Sequence, residues 1–465
     1  MLRSVAAFLY LPANFVCMMD WRKLLRPQYL NMDRRGKIDI NRSEFERDFD
    51  RIVFSAPFRN LQDKTQVFPL PEDDFVHTRL THSLEVSSVG RSLGKSAGEF
   101  LLNKYPGLSE IAITPSDIGG IVAAAALAHD IGNPPFGHAG EEAISDFFRL
   151  HPFGQVWQDL VTDEQWADMV NFEGNAQGFR MLVDRNNGLK ISSATLAAFT
   201  KYPRSSSDPF PDKSRKSQKK YGFFSDQSGQ FGQLAEELGM IPLREKAWVR
   251  HPLAFLVEAA DDICYSIIDL EDGCTLGLVA LEECIALMAE ILGQQFSPAK
   301  VDAIKNPAQK LAVLRALTIN QLIQETIDVF TRHEEKILSG EFDKALTDVI
   351  PSSPVLERIS ALSVTKIYRS QPVLEKEAAG FQVLEGLLEV FSKALYHKFH
   401  LPDHFSGKDK SILRLLPISF PLNEPELAAQ PYTLLRSLVD WISGMTDKYA
   451  LSLYRRVKGI ALPGV

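Results

Sequence analysis

The distribution of apolar residues along the chain predicts a protein built almost wholly of helices. Apolar side chains recur at spacings of three and four residues in several long stretches, which is the period of a helix with one buried face. These stretches cover residues 82–104, 118–130, 252–271, 308–330, 373–400 and 433–456. We find no series of alternating strands separated by hairpin turns, and the one short hairpin that we allow lies near 67–77. The sequence therefore predicts a mainly α fold with minimal β structure.

One of these helices ends in two side chains of the kind that bind metals, at a position where burying them costs free energy. The stretch 118–130 is almost purely apolar until it ends in His129 and Asp130. Such groups need partners, because burying them unpaired costs free energy. The glycine and prolines that follow stop the helix. His138 and Glu141 come a turn later, three residues apart, and a carboxylate beside an imidazole orients it for general acid/base catalysis.

A second group of polar residues lies in the predicted helix 252–271. Asp261, Tyr265 and Asp269 are spaced four residues apart, so they share one stripe of this helix. Such a stripe is typical of the solvent-facing edge of an amphipathic helix, and it also fits one wall of a functional site. The spacing alone leaves both interpretations open.

The histidines and carboxylates in these stretches form a set of candidate metal ligands. His82, His129, Asp130 and Asp261 would supply two imidazoles and two carboxylates if their helices converge. Mixed nitrogen and oxygen ligands suit a divalent ion such as Mn, Mg, Fe or Co, with open positions for phosphate and water. Sequence spacing does not establish that the segments converge.

Charge and composition narrow the ligands that such a site would take. The 465 residues are 45% hydrophobic, which is too apolar for a disordered chain, and no uninterrupted apolar run is long enough for a membrane span. With 51 basic and 59 acidic side chains the net charge is −8, which argues against general binding of polyanions. An anionic ligand would therefore need a local positive site, made by basic side chains or by a metal.

One segment of this acidic chain is locally basic. Residues 201–220 hold seven lysine or arginine side chains against two aspartates, in a stretch whose serines and prolines predict a loop. The composition fits a solvated, flexible insertion. It also fits an electrostatic lid over a polyphosphate. The second interpretation requires that residues elsewhere supply the rest of a phosphate site.

The four cysteines and the N-terminus bear on the compartment. None of the cysteines forms a CxxC pair, so they fit free thiols in a reducing compartment. Residues 1–19 superficially resemble a signal peptide, but Pro12 and Asn14 interrupt the apolar stretch and no small-x-small cleavage site follows. We expect a cytoplasmic protein, with residues 1–30 as an N-terminal extension and Met19 as an alternative start.

Several strings that contain these residues resemble one known family. They read RNLQDKTQVFPL (59–70), RLTHSLEV (79–86), AHDIGNPPFGHAGEEAI (128–144), FEGNAQG (172–178), EAADDICYSIIDLED (258–272) and DWISGMTDKYA (440–450). A bare HD pair would be weak, but the ordered set resembles the HD-domain metal phosphohydrolases and, more narrowly, bacterial deoxyguanosine triphosphate triphosphohydrolases. The resemblance extends over nearly the whole chain from about residue 20 onward.

The resemblance implies an HD-domain helical fold with a C-terminal helical extension. It also implies hydrolysis of dGTP, or of other deoxynucleoside triphosphates, at the α-phosphorus to yield the deoxynucleoside and inorganic tripolyphosphate. The four candidate ligands would hold a divalent metal, with Mn or Mg favoured over Co or Fe. His138, supported by Glu141, would exchange a proton with the attacking water or with the departing 5′ oxygen.

The same resemblance implies a cradle for the substrate. Basic and aromatic residues would surround the triphosphate, namely Arg79, Lys201, Tyr202 and Lys220. This favours the lid interpretation for part of the basic loop. Tyr265 would pack against the sugar and exclude a 2′-hydroxyl, and Gln66 and Asp269 would bind the 3′-hydroxyl. Arg59 and Asn175 would be further substrate-binding residues of less defined role.

The resemblance further implies a homo-oligomer, commonly a hexamer, and effector sites for nucleotides or single-stranded DNA. For the domain organisation we expect the extension 1–30, an HD-domain catalytic core over 31–275 and a C-terminal helical region over 276–465 packed on the core. Two alternatives stay open. One is an HD-type phosphodiesterase or nucleotidase that acts on another nucleotide, and the other is a non-catalytic regulatory protein that binds nucleotides.

Overall fold

Helices make up almost all of the regular structure in the computed structural model, which describes residues 18–30, 42–66, 77–184, 188–423, 426 and 430–461. The predicted mainly α fold with minimal β structure is confirmed. The hairpin predicted near 67–77 lies outside the described residues, apart from His77, and so do residues 1–17 of the predicted N-terminal extension. None of the described helices combines the length and the hydropathy needed to cross a bilayer.

The described elements follow one another with mostly short connections. The helices of the first half are α1 (Trp21–Leu24), α2 (Glu44–Phe54), α3 (Ala56–Asn60), α4 (Arg79–Lys104), α5 (Pro115–Ala128), α6 (Gly137–Leu150), α7 (Pro152–Gln155), α8 (Asp163–Val170), α9 (Gly174–Val183), α10 (Ser193–Phe199) and α11 (Ser228–Leu238). Two short antiparallel strands follow, β1 (Pro242–Arg244) and β2 (Ala247–Trp248). The later helices are α12 (Ala254–Thr275), α13 (Leu281–Leu292), α14 (Pro298–Asp302), α15 (Pro307–Leu338), α16 (Ser353–Leu362), α17 (Gln371–His400), α18 (Gly407–Leu413), α19 (Pro431–Ser443) and α20 (Asp447–Val457).

Capping residues fix where α4 and α5 begin. The side chain of Thr78 accepts a hydrogen bond from the backbone N–H of Thr81, and this starts α4. Thr114 and Asp117 form the reciprocal capping box at the start of α5, with proline at its first position. These caps satisfy backbone N–H groups that a helix leaves without partners.

Small residues on α4 let its backbone approach that of α5. Gly90, Gly94 and Gly98 recur every fourth residue and so lie on one face of α4. A Cβ atom on Gly94 would lie 2.9 Å from the Cα of Gly119, and one on Gly98 would lie 2.7 Å from the Cα of Pro115. The two helices therefore run antiparallel in close contact. Their register brings the first turns of α4 opposite the end of α5.

The C-terminal part differs from the expectation in one respect. The periodicity predicts one helix over 433–456, but the structure has α19 and α20 with a break at residues 444–446. Thr446 caps the second helix through its side chain, which accepts a hydrogen bond from the N–H of Tyr449. The prediction is wrong at this break because apolar residues continue on both sides at helical spacing.

Buried apolar side chains form two cores in the part of the chain that the structure describes. The larger core joins α1–α5 to α10–α16. The smaller core joins α6–α8 to α17–α20, and α9 contributes side chains to both. The hydrophobic contacts thus connect the end of the chain to helices from its first half. The domain boundaries expected at residues 30 and 275 stay predictions.

The close approach of α4 and α5 can be tested with one methyl group. We expect Gly94→Ala to lower the free energy of unfolding by roughly 1–3 kcal/mol, because its Cβ would meet backbone atoms that cannot rotate away. Gly120→Ala is the matched control on α5, since its Cβ would lie 3.4 Å from the Cβ of Phe45, an ordinary contact. Urea denaturation measures both variants. Equal stability of the two variants would contradict the role given to Gly94.

Candidate metal centre and adjoining cavity

Four side chains from three separate helical segments converge at the end of α5. The Nε2 atom of His82 lies 3.3 Å from Oδ1 of Asp261, and Nε2 of His129 lies 3.5 Å from Oδ1 of both Asp130 and Asp261. Ligand atoms of His82, His129 and Asp130 all lie within 4.8 Å of one another. The structure thus brings together the four residues that the sequence analysis named as candidate ligands.

Neighbouring groups orient the members of this cluster. Nδ1 of His129 donates to the carbonyl oxygen of Ala126 at 2.7 Å, so its Nε2 lone pair faces the cluster. Asp130 accepts hydrogen bonds on both oxygens, from Nη1 of Arg79 at 2.6 Å and from Nδ2 of Asn133 at 2.5 Å. Such partners fix ring and carboxylate orientations before any ligand binds.

Electrostatics keeps the two carboxylates ionised. Burial alone would raise the pKa of Asp130, but Arg79, His129 and His82 lower it to about 2. Burial would likewise raise the pKa of Asp261, and the same two imidazoles hold it well below its ordinary range. Two anionic carboxylates and two imidazoles in contact form a donor set that fits a divalent cation. The cluster is therefore compatible with metal binding.

An imidazole–carboxylate pair lies beside this cluster at the start of α6. Nδ1 of His138 is 2.9 Å from Oε2 of Glu141, and the His138 side chain is 85% exposed while that of Glu141 is buried. Oε1 of Glu141 accepts the backbone N–H of Gly174, the first residue of α9, at 2.7 Å. A Cβ on Gly174 would lie 2.7 Å from that same oxygen, which explains the glycine there. Burial raises the pKa of Glu141, yet His138, Lys220 and this N–H bring it below its usual value.

A cavity of about 340 Å³ connects the cluster and the pair. The predicted site residues that line it are Gln66, Arg79, His82, His129, Asp130, His138, Glu141, Asn175, Lys201, Tyr202, Lys220, Asp261 and Tyr265. Nζ of Lys201 is 3.5 Å from Oε1 of Glu258, and Nζ of Lys220 is 3.1 Å from Oε1 of Glu173. Among the described residues, Oε1 of Gln66 and Nε of Arg79 are buried without a hydrogen-bond partner. Buried polar atoms of this kind are rare unless a ligand or water meets them.

Two of the predicted site residues do not line this cavity. Arg59 is exposed on α3. Asp269 is buried, and its Oδ2 accepts the hydroxyl of Tyr368 at 2.6 Å. The ring of Tyr368 in turn stacks on that of Tyr265, with 5.7 Å between centroids. Burial raises the pKa of Asp269 to about 7, against the opposing effect of this hydrogen bond.

Sequence reasoning missed several residues around the site. Asn133, Glu258 and Asp262 line the cavity. All three lie inside the strings that carried the resemblance, within three residues of a candidate ligand, and this proximity was the signal that the sequence offered. Tyr368 gave no such signal. It ends a short π-helical turn, Ser363–Tyr368, far from every recognised string.

Comparisons with known proteins identify the class of protein that has this helical fold. The HD domain family matches residues 79–169, and the phosphohydrolase-associated domain matches residues 355–456. A deoxyguanosinetriphosphate triphosphohydrolase-like protein of Synechocystis is 40% identical over 96% of this chain and all of its own length. A protein of the same name from Pseudomonas aeruginosa is 37% identical over 96% of this chain and all of its own.

A protein from Klebsiella pneumoniae that is named deoxyguanosinetriphosphate triphosphohydrolase without qualification is 31% identical over 95% of this chain and 98% of its own length. The chain therefore belongs to the family of deoxyguanosinetriphosphate triphosphohydrolases and their like-named relatives. This confirms the family to which the sequence strings pointed.

Metal binding at the cluster predicts a change in thermal stability. We expect MnCl₂ at 100 times its Kd to stabilise the folded protein by about 2.7 kcal/mol, because the ion binds the folded state only. Asp261→Asn should lose most of this effect. Asp262→Asn is the matched control, since Oδ2 of Asp262 accepts the hydroxyl of Thr347 at 2.6 Å. Equal Mn²⁺-induced shifts of the unfolding temperature in both variants would remove Asp261 from the ligand set.

Proposed function

We propose that this protein is a metal-dependent triphosphohydrolase, with dGTP as the first candidate among the deoxynucleoside triphosphates. The products would be the deoxynucleoside and inorganic tripolyphosphate. The observation that supports this most is the shared cavity: the four-residue ligand cluster, the His138–Glu141 pair and two lysines all face it. The names of the relatives support the choice of dGTP.

His82, His129, Asp130 and Asp261 would hold one divalent ion, Mn or Mg before Co or Fe. Such an ion supplies Lewis-acid polarisation of a phosphoryl oxygen and lowers the pKa of a bound water. The donor set of two nitrogens and two oxygens supports a borderline to hard ion rather than a thiophilic one.

The cationic side chains of the cavity would bind the triphosphate. Burial lowers the pKa of Lys201, but Glu258 raises it above its ordinary value, so the ammonium stays charged. Lys220 likewise has a raised pKa, because Glu141 and Glu173 outweigh the effect of burial. Arg79 and Tyr202 line the same cavity, and Asn175 would take part through Glu173, to which it donates a hydrogen bond at 2.7 Å.

His138 would move the proton of the reaction. Its Nδ1 contacts Glu141, so Nε2 is the nitrogen that faces outward and can exchange a proton with the attacking water or the departing 5′ oxygen. Glu141 would hold the ring in that orientation and stabilise its cationic form. The fixed position of Glu141 on the N–H of Gly174 supports this division of roles.

Sugar selection would rest on the tyrosine pair. Tyr265 lines the cavity and would leave no room for a 2′-hydroxyl, while Tyr368 and Asp269 hold its ring from behind. The unpartnered Oε1 of Gln66 would accept the 3′-hydroxyl. In this arrangement Asp269 acts through Tyr368. Arg59 has no supporting contact with the cavity, and its role stays a sequence-based prediction.

We infer that the enzyme works in the cytoplasm as a homo-oligomer. The cysteines in the described part of the chain, Cys264, Cys274 and Cys284, are free thiols, which fits a reducing compartment. Large apolar side chains such as Phe54, Phe210 and Ile418 are exposed and available for contacts between subunits. The expectations of a hexamer and of nucleotide or single-stranded DNA effectors rest on the resemblance alone.

A turnover panel tests the proposed function. The four deoxynucleoside triphosphates and GTP are incubated with the protein in the presence of Mn²⁺, Mg²⁺ or Co²⁺, and phosphate products are separated by ion chromatography. We expect tripolyphosphate, with dGTP turned over fastest and GTP rejected. Pyrophosphate or orthophosphate as the primary product would favour another HD-type nucleotidase. Binding of dGTP without turnover at any metal would favour a regulatory protein.

The proton-transfer role predicts the effect of one substitution. His138→Ala should lower kcat by roughly 10²–10⁴-fold, because general acid/base catalysis contributes about that much. Mn²⁺ binding, measured by calorimetry, should be unchanged. Glu142→Ala, an exposed neighbour on α6, is the matched control and should keep full activity. Near-normal turnover in His138→Ala would assign the proton transfer to another group.

The steric role of Tyr265 predicts a change in sugar specificity. Tyr265→Ala should reduce the preference for dGTP over GTP, expressed as the ratio of kcat/KM values, by roughly 10- to 100-fold. Tyr368→Phe keeps the stacked ring but loses the hydrogen bond to Asp269, so its ratio should fall less. Undiminished rejection of GTP by Tyr265→Ala would place the discrimination elsewhere.

A further inference from the structure

The string DWISGMTDKYA at residues 440–450 belongs to the family pattern, yet none of its side chains lines the catalytic cavity. It spans the end of α19, the break at 444–446 and the start of α20. It carries two aspartates, Asp440 and Asp447, on either side of the break. Both contact segments that carry catalytic-site residues.

Asp447 joins two of those segments. Its Oδ2 accepts the backbone N–H of Thr65 at 3.0 Å and also the Thr65 hydroxyl, and its Oδ1 accepts the N–H of Phe136 at 3.0 Å. Thr65 precedes Gln66, and Phe136 lies two residues before His138. The carboxylate is almost fully buried. One side chain therefore sets the distance between the predicted sugar-binding residue and the start of the helix that presents the imidazole.

The contact with Phe136 stabilises an unusual backbone conformation. Phe136 has φ +64° and Gly137 has φ +60°, so the residue before α6 and the first residue of α6 are both left-handed. A bulky residue adopts this conformation only where its surroundings enforce it. The hydrogen bond to Asp447 is one such restraint. Packing of the Phe136 ring close to Gly380 is another, since a Cβ there would lie 2.8 Å from the Phe136 Cβ.

A lysine extends the same connection to the metal cluster. Nζ of Lys64, the residue before Thr65, donates to the carbonyl oxygen of Ser443 at 2.7 Å and to that of Asn133 at 2.6 Å. The amide of Asn133 in turn donates to Asp130. The turn after α19 is thus linked through two side chains to one of the proposed metal ligands.

Asp440 acts on the opposite wall of the site. It accepts hydrogen bonds from Gln177 at 2.9 Å and from Nε of Arg180 at 2.9 Å, and both of these residues lie on α9. The first N–H of α9, that of Gly174, holds Glu141. A change at Asp440 would therefore move the helix that orients the partner of the imidazole.

We propose that Asp440 and Asp447 are positioning residues of the catalytic site, and that the C-terminal string holds the Gln66, His138 and Glu141 segments in their working arrangement. The catalytic part of this inference rests on the proposed function. The structural part does not rest on the proposed function, because hydrogen exchange reports on these hydrogen bonds in the absence of substrate. The C-terminal helices thus serve the chemistry without touching the substrate.

The test compares Asp447→Asn with Lys448→Met. Nζ of Lys448 contacts Oδ1 of Asp63 at 2.7 Å on the surface, so the control removes a neighbouring link between the same two segments. Hydrogen exchange followed by mass spectrometry should show faster exchange in Asp447→Asn for peptides that contain the Thr65 and Phe136 amides, and unchanged exchange in Lys448→Met. With dGTP and Mn²⁺, kcat of Asp447→Asn should fall at least tenfold, whereas Lys448→Met should match the wild type.

Asp440→Asn provides a separate readout. Because it acts through Glu141, we expect it to shift the pH profile of kcat while KM for dGTP changes less than twofold.

If Asp447→Asn fails to fold, Thr65→Val takes its place in the test, since it removes one donor to the same carboxylate and should also lower kcat. Normal kcat in the folded variants, or exchange that rises uniformly over the chain, would overturn the proposal. Absence of any turnover in the wild type would refute the proposed function and leave the exchange result to decide the structural part.

Discussion

The backbone contact between α4 and α5 is the constraint on which the site depends. Glycines spaced every fourth residue allow the two helices to approach until Cα and carbonyl atoms of one touch the other. In that antiparallel register His82 lies opposite His129, with 5.3 Å between the ring centroids. Larger side chains would separate the helices, and the two imidazoles would then lie too far apart to contact the same ion. The geometry of the candidate ligands therefore follows from helix packing rather than from a flexible loop.

The site depends secondly on the compensation of its negative charges. The cluster holds two ionised carboxylates, the buried Asp130 and the partly buried Asp261, which is unfavourable unless cations face them. Arg79 and the two imidazoles face the carboxylates in this structure, and a divalent ion would do so when bound. The same principle recurs around the cavity, where Glu258 pairs with Lys201 and Glu173 pairs with Lys220. A net charge of −8 is thus consistent with local sites that attract an anionic substrate.

The sequence predicted those features of the structure that depend on local residue patterns. Helical periodicity located the long helices, and the order of His82, His129–Asp130 and Asp261 identified the cluster that the structure assembles. It did not predict the break after Ser443, because that turn is held by contacts with residues more than 300 positions away, such as the bond between Asp447 and Thr65. The pairing of Asp269 with Tyr368, which lie 99 positions apart, was also missed. Neither partner has a spacing pattern that points to the other.

The proposed function requires that His82, His129, Asp130 and Asp261 together hold one divalent ion. Crystals grown with MnCl₂ and measured at the manganese absorption edge test it most directly, because the anomalous signal locates the ion independently of the protein chain. We expect one strong peak within coordination distance of all four side chains. A peak elsewhere on the protein, or one that contacts only part of this set, would contradict it.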